Sequence, residues 1–206
     1  MTDDQLYIRR LSLIASVWSI GLAMSLTIAV DRSTWMMEVA PAPIVLAGLI
    51  ATRRRWRASG LALALIGIHG LVLMVGGAYT YAKVPVGYVL QDWLHLTRNP
   101  FDRIGHFLQG FVPAIVLREL VIGRGLIRRG KFCTLAVLAF CLAISAAYEL
   151  IEFGAAQALG QGADAFLGTQ GDPWDTQWDM LTCLIGAACA LATLSRIDDR
   201  LIAGRL

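Results

Sequence analysis

Charged residues are scarce in this sequence, and their scarcity defines the class of protein. Only 16% of the 206 residues are charged, whereas 57% are hydrophobic, and the mean hydropathy is +0.62. Soluble domains contain about 25% charged residues and about half apolar ones. A soluble fold of this size leaves too much chain in contact with water to hide so many apolar side chains. The composition therefore excludes a soluble globular domain and indicates an integral membrane protein.

The sequence also lacks the short motifs that mark several large enzyme classes. It has no glycine-rich phosphate-binding loop, no nucleophile elbow and no HExxH metal motif. Its four cysteines lie in apolar runs without CxxC or zinc-ligand spacing, which is typical of small buried side chains. The net charge of +3 is small and the basic residues flank apolar runs, so no nucleic-acid partner is expected.

Long apolar runs are the main positive signal. A helix needs about 20 apolar residues to cross the hydrocarbon core of a bilayer. The first run is too long for a signal-peptide core and has no small-residue cleavage site after it. We therefore predict an all-α, polytopic transmembrane helix bundle that forms a single integral membrane domain over residues 1–206. Its predicted spans are about 11–30, 36–52, 61–82, 100–122, 132–153 and 173–194.

Lysine and arginine are concentrated in alternate connections between these runs. The N-terminus, the loops at 53–57 and 124–131, and the C-terminal tail hold most of them, whereas residues 154–179 hold none. Short loops rich in Lys and Arg stay on the cytoplasmic side of a membrane. We therefore predict that both termini are cytoplasmic. On the outer side we expect residues 84–99 to lie along the surface and residues 154–171 to form a small-residue loop whose first residues could be helical.

Three predicted spans carry paired ionisable residues at this outer end. Ionisable residues at membrane depth are costly, so each of them requires an explanation. Residues three or four apart share one face of a helix, and short connections make the last three spans neighbours. We therefore predict that these faces meet in one polar pocket. The pairs are Asp102 with His106, Glu149 with Glu152, and Asp175 with Asp179.

Helix capping is an alternative explanation for some of these acids. Residues 99–102, Asn-Pro-Phe-Asp, are typical of a helix start, and residues 172–175, Asp-Pro-Trp-Asp, repeat the pattern. Capping does not explain His106, Glu149 or Asp179, which lie further inside their runs.

Other polar residues within the spans indicate structural roles. Arg118 and Glu119, near the inner end of the fourth span, suggest snorkelling or a local ion pair. We expect His69, which lies mid-span between glycines, to hydrogen-bond a neighbouring helix. The Gly/Ala run at 186–190 predicts a close helix contact.

Three stretches of this sequence resemble the YjdF family of bacterial inner-membrane proteins. They are residues 102–107 (DRIGHF), 148–152 (YELIE) and 171–180 (GDPWDTQWDM). The resemblance covers most of the chain and implies a small multi-pass protein of the bacterial inner membrane, without a defined activity. The order of D-x-x-x-H-F, an in-helix Glu and a final Asp is also similar to the VanZ-like envelope proteins. Those proteins have an Asn shortly after the last Asp, which residues 182–184 lack.

An enzyme is the first functional hypothesis. His106, Glu149 and Asp179 are the candidate catalytic residues, and a divalent cation such as Mn²⁺, Mg²⁺ or zinc is a candidate cofactor. Without metal, a buried Glu beside His106 could act as acid and base. No covalent nucleophile stands out, so we expect activated water to hydrolyse a membrane lipid or a lipid-linked envelope precursor. The candidate metal ligands are His106, Glu149, Glu152, Asp179, Asp102 and Asp175.

Two further hypotheses use the same residues differently. Intramembrane carboxylates and a histidine can relay protons, which is typical of an ion-coupled transporter of small solutes. Against it, the acids gather at one surface and no inverted repeat is visible. In a non-catalytic binding or assembly protein, the polar cluster would instead organise helix packing, with Trp174 and Trp178 as interfacial anchors.

Overall fold

The computed structural model describes residues 2–159 and 169–204, and most of these residues are helical. The predicted all-α polytopic bundle is confirmed, because six helical stretches are long and apolar enough to cross a membrane. One of the six consists of two consecutive helices, α2 and α3. The helices are α1 (Asp3–Thr27), α2 (Arg32–Val39), α3 (Pro41–Thr52), α4 (Gly60–Ala78), α5 (Pro85–Trp93), α6 (Phe101–Gly123), α7 (Lys131–Leu159) and α8 (Asp175–Ala203).

The structure places the second span, predicted at 36–52, at Arg32–Thr52 and divides it into α2 and α3. It begins earlier, because the Asp31 side chain accepts a hydrogen bond from the Thr34 amide at 2.7 Å and caps α2. That hydrogen bond lowers the pKa of Asp31 below its usual value. The span is interrupted before Pro41, since Pro41 and Pro43 have no N–H to continue the helical hydrogen bonds.

The last two spans extend beyond their predicted ends. Helix α7 continues to Leu159, so the beginning of the predicted 154–171 loop is helical, and residues 160–168 of that loop lie outside the described residues. Helix α8 continues to Ala203 instead of ending near residue 194. The extension has a packing reason, because Asp198 is buried and bonds the Arg118 guanidinium of α6.

The bundle has two packed halves. In the N-terminal half, Trp18 of α1 donates its ring N–H to the Gly67 carbonyl of α4 at 3.0 Å and packs in a buried apolar cluster. In the other half, α6, α7 and α8 surround a second cluster that contains Cys141 and Cys183. All four cysteines are free, and the predicted role as small buried side chains is confirmed for Cys133, Cys141 and Cys183, whereas Cys189 is partly exposed.

Glycines bring α6 and α8 into backbone contact. A Cβ atom on Gly110 would lie 1.8 Å from the Cys183 carbonyl oxygen, and one on Gly186 would lie 2.0 Å from the Phe107 carbonyl oxygen. Only residues without a side chain allow two helices to approach this closely. The predicted close contact in 186–190 is therefore confirmed. His106 lies one helical turn before Gly110, and Asp179 lies one turn before Cys183. The contact between Gly110 and Cys183 therefore also brings His106 close to Asp179.

Helix α6 is the central helix of the bundle. Every other candidate span exposes large apolar side chains, whereas no residue of Phe101–Gly123 is exposed. Neighbouring helices therefore shield α6, and a polar residue on it faces protein rather than lipid.

Candidate functional site

Three polar side chains converge where α6 and α8 begin. The His106 Nε2 atom lies 3.7 Å from Asp102 Oδ1 and 3.6 Å from Asp179 Oδ1. All three residues are buried, and one ligand atom from each lies within 4.8 Å of the others. The i,i+4 spacing on α6 brings Asp102 to His106, and the glycine contact with α8 brings Asp179 to both. Two carboxylates and an imidazole thus surround one point.

The other nitrogen of the His106 ring has its own partner. Its Nδ1 lies 3.0 Å from Gln109 Oε1, one turn further along α6. An amide oxygen can only accept a hydrogen bond, so this contact requires a proton on Nδ1, and Nε2 is the ring nitrogen that faces the two aspartates. Glu149 Oε1 of α7 lies 3.9 Å from the same Nδ1 atom and has no hydrogen-bond partner among the described residues.

Two arginines organise the remaining acids of this end. Arg103 bonds Asp179, and its Nη2 lies 2.7 Å from Asp175 Oδ1. Arg98 also bonds Asp175, and its Nη2 lies 3.4 Å from Asp102 Oδ2. Their positive charges offset the cost of burying several carboxylates together. We name Arg98, Arg103, Asp102, Asp175 and Asp179 the arginine–aspartate network.

A second polar group lies across from His106. The Tyr148 hydroxyl of α7 donates to Glu38 Oε2 of α2 at 2.9 Å, which links the two halves of the bundle. Tyr81 and Glu152 lie in the wall of the same cavity. Burial, and then the charge of nearby Glu38, raises the pKa of Tyr81 well above its usual value, so its phenol stays protonated.

A cavity of about 350 Å³ begins at these polar groups and continues between the two halves. Its polar end contains His106, Asp102, Glu38 and Glu152. The rest of its wall is mainly apolar. The apolar lining includes Ile66, Leu73, Val112, Val116, Leu117 and Ile144. This volume lies within the usual size of small-molecule sites, and its mixed polarity suits an amphiphilic molecule.

The structure distributes the predicted site residues over three places. Asp102, His106 and Asp179 form the central group, and Glu149 lies beside it. Asp175 bonds the two arginines, and Glu152 lies in the cavity wall. The capping explanation is wrong for both helix starts, because α6 follows Pro100 and α8 follows Trp174, and neither helix has a side-chain cap hydrogen bond. Asn99 and Asp172 accept amide hydrogen bonds just before these positions: Asn99 Oδ1 accepts from the Phe101 amide at 3.0 Å, and Asp172 Oδ1 accepts from the Trp174 amide at 2.9 Å.

Sequence reasoning missed three contributors to the site. Glu38, within the second predicted span, is buried and accepts a hydrogen bond from the Tyr148 hydroxyl. Arg98 belonged to a segment assigned to the surface. The signal available for Arg98 was its i,i+4 spacing from Asp102. No sequence signal paired Glu38 with Tyr148, since they lie on helices far apart in the chain.

The predictions for His69 and Arg118 have different outcomes. His69 was expected to hydrogen-bond a neighbouring helix, but its buried Nε2 has no partner among the described residues, because the ring lines the cavity. Arg118 forms ion pairs, as one of its two predicted roles requires, and the partners are acids of α8. It bonds Asp198 and, at 2.6 Å, Asp199 of α8. The Glu119 carboxylate accepts the Ser59 amide at 2.6 Å.

Comparisons with known proteins agree on the class of this chain. A family model described as "Predicted membrane protein (DUF2238)" matches residues 10–200. Inner membrane protein YjdF of Escherichia coli (strain K12) is 55% identical over 171 residues, which cover 82% of this chain and 81% of that protein. No solved structure matches. The predicted multi-pass location in the inner membrane is therefore confirmed.

Proposed function

This chain belongs to the family of predicted membrane proteins designated DUF2238. We propose that it is an inner-membrane hydrolase that uses a divalent cation. The proposal rests on the position of His106 Nε2, which lies 3.7 Å from Asp102 Oδ1 and 3.6 Å from Asp179 Oδ1. This group lies at the polar end of an otherwise apolar cavity. Ionisable residues inside a membrane bundle usually mark functional sites.

The distances from His106 Nε2 to the two carboxylate oxygens suit a small cation, and all three ligand atoms lie within 4.8 Å of one another. Ligands at about 2.1 Å from zinc in tetrahedral geometry lie about 3.4 Å apart. Carboxylate-rich sets also accept Mn²⁺ or Mg²⁺. Three protein ligands leave a coordination position for water, as in catalytic rather than structural sites. The Gln109 contact would orient the His106 ring, which is the usual role of a residue behind a metal ligand.

Glu149 supplies the acid–base function in this proposal. Its Oε1 atom lies 3.9 Å from the His106 ring and forms no hydrogen bond with the described residues, so it can accept a proton from water. A bound cation would lower the pKa of that water. If no cation binds, Glu149 and His106 remain a conventional acid–base pair, which is the metal-independent version of the same proposal.

The cavity supports a lipid or lipid-linked substrate. Its apolar wall can hold a hydrocarbon chain while the bond to be cleaved lies beside His106 and Glu149. Transport has less support, because Val112, Val116 and Leu117 separate this polar end from the Arg118 ion pairs at the other end of α6.

Metal content tests the proposal directly. We expect purified protein in nanodiscs, stripped with chelator and reloaded with Mn²⁺ or Zn²⁺, to retain a stoichiometric cation after desalting. The His106→Ala variant should lose it, whereas His95→Ala, which removes an exposed histidine outside the cavity, should retain it. Equal metal content in wild type and His106→Ala would contradict the metal version.

A second measurement separates catalysis from transport and from a packing role. Mass spectrometry of nanodiscs made with a bacterial lipid extract should detect products with wild type that are absent with Glu149→Gln. A packing role predicts that Glu149→Gln loses stability and metal together. A transport role predicts solute or proton flux in proteoliposomes without any new product.

A further inference from the structure

A basic cleft lies at the opposite end of the bundle from His106. Four separate parts of the chain form it: the beginning of α1, the loop between α3 and α4, the residue after α6, and the end of α8. It encloses a volume of about 770 Å³. Seven arginines and two acids line it, so positive charge is in large excess.

Most of these arginines form no ion pair with the described residues. Arg57 forms an ion pair with Asp4 at 2.6 Å, and the lining acid Glu119 accepts a hydrogen bond from the Ser59 amide. Among the described residues, no ion pair involves the other six arginines of the cleft, although Arg124 donates to the Arg55 carbonyl at 2.8 Å. These six are Arg10, Arg53, Arg54, Arg55, Arg124 and Arg200.

The floor of the cleft is apolar. Tyr7 and Ile202 are 5% and 3% exposed, and Trp56 packs against the same buried cluster as Tyr7. The Arg57 guanidinium lies 5.9 Å from the centre of the Tyr7 ring. The cleft therefore combines aromatic and aliphatic surface with a rim of guanidinium groups, and it lies at the ends of membrane-spanning helices.

We infer that this cleft binds a phosphate-bearing anion, and that its source is the headgroup of an anionic membrane lipid. The planar guanidinium group forms paired hydrogen bonds with phosphate oxygens. Positive charge at the inner face is ordinary for a membrane protein. Membrane topology alone, however, does not require arginines from four separate elements to converge on one concave surface. Phosphatidate fits both the charge and the adjacent apolar floor, whereas a soluble phosphate uses only the charge.

The inference does not depend on the proposed hydrolase activity, because the two sites share no lining residue. The test is a binding titration with full-length protein in nanodiscs. One series contains phosphatidylcholine with a rising fraction of phosphatidic acid. The other contains phosphatidylcholine alone and is titrated with inorganic pyrophosphate. Native mass spectrometry counts bound lipid, and the fluorescence of Trp56, with the other tryptophans replaced by phenylalanine, follows occupancy of the cleft.

A matched pair of variants separates the cleft from general surface charge. Arg54→Gln with Arg200→Gln removes two cleft charges, whereas Arg9→Gln with Arg128→Gln removes two exposed charges outside the lining. We expect the first pair to weaken phosphatidate binding by about tenfold or more, since each basic residue near a membrane surface contributes about 1 kcal/mol. The second pair should have little effect. Arg54→Lys with Arg200→Lys should restore most of the binding.

Each outcome of these titrations supports or contradicts the binding of a lipid headgroup in the cleft. Phosphatidate binding that depends on the cleft pair supports the inference with a lipid source. Pyrophosphate binding with the same dependence, without retained phosphatidate, supports the phosphate site but transfers its source to a soluble ligand. Equal weakening of binding by both pairs of variants would contradict a binding site in the cleft. So would the failure of both phosphatidate and pyrophosphate to bind. Size-exclusion profiles of the variants check that each remains folded.

Discussion

At the scale of single residues, His106 is defined by the different partners of its two ring nitrogens. Nδ1 lies against Gln109, and Nε2 faces Asp102 and Asp179. Such an arrangement orients the ring, which a sequence motif cannot specify. The contact with Gln109 therefore offers a way to test the site without removing a candidate ligand.

Replacing Gln109 with leucine should weaken metal binding while the fold persists. The side chain is similar in size, but Nδ1 loses its acceptor and the imidazole can rotate or change tautomer. Loss of such a supporting contact typically costs about 10–100-fold in metal affinity. Competition titration with a chromophoric chelator measures the effect. Gln177→Leu, at an exposed position two residues before Asp179, is the control and should bind metal normally.

The Tyr148–Glu38 hydrogen bond predicts a stability effect. Tyr148→Phe removes the hydroxyl that donates to a buried carboxylate at 2.9 Å, and it leaves that oxygen without this donor. We expect a loss of about 1–3 kcal/mol in the free energy of unfolding. Titration with a denaturing detergent measures it. Tyr88→Phe is the control, because it removes the same hydroxyl from an exposed ring in α5. An equal loss of unfolding free energy in that variant would contradict the role assigned to the Tyr148–Glu38 hydrogen bond.

At the scale of helices, the contact between α6 and α8 determines whether the site can form. Gly110 and Gly186 face backbone carbonyls, so no side-chain rotation can make room for an added Cβ. The small-residue run at 186–190 indicated a close contact, but it did not identify the partner helix. That partner is α6, and the contact sets the distance between His106 and Asp179.

Gly110→Ala should therefore separate the two helices and disrupt the site. Its Cβ would lie 1.8 Å from the Cys183 carbonyl oxygen, a distance that only a helix shift relieves. Overpacking of this kind costs about 1–3 kcal/mol or more, and metal binding should fall with it. Detergent denaturation and metal content are the two measurements. Gly123→Ala, on the same helix with open space around it, should change neither.

At the scale of the whole molecule, the two ends of the bundle differ in charge and in organisation. Asp3 and Gly204 line the same basic cleft, so both ends of the described chain lie on one face. The candidate site and its acidic residues lie on the opposite face. The distribution of Lys and Arg predicts that the basic face is cytoplasmic, and the orientation itself remains a prediction.

Cysteine labelling of intact cells tests this orientation. In a background with the four native cysteines replaced by alanine, a membrane-impermeant maleimide should label His95→Cys before lysis. It should label Arg54→Cys only after permeabilisation, because short arginine-rich loops stay inside. Both positions are exposed, so reactivity reports access rather than burial. The reverse labelling pattern would show the opposite orientation, with the His106 site at the cytoplasmic face.

The six-span architecture and the pairs of acids on helix faces were readable from the sequence by itself, because both are local. Hydrophobic length identifies a span, and three- or four-residue spacing defines a face. Only the tertiary structure decided which faces meet. It joined His106 to Asp102 and Asp179, assigned Asp175 to the arginines, and brought Glu38 to Tyr148. These pairings depend on backbone approach at Gly110 and on the interruption at Pro41, and such inter-helix geometry leaves no periodic signal in the chain.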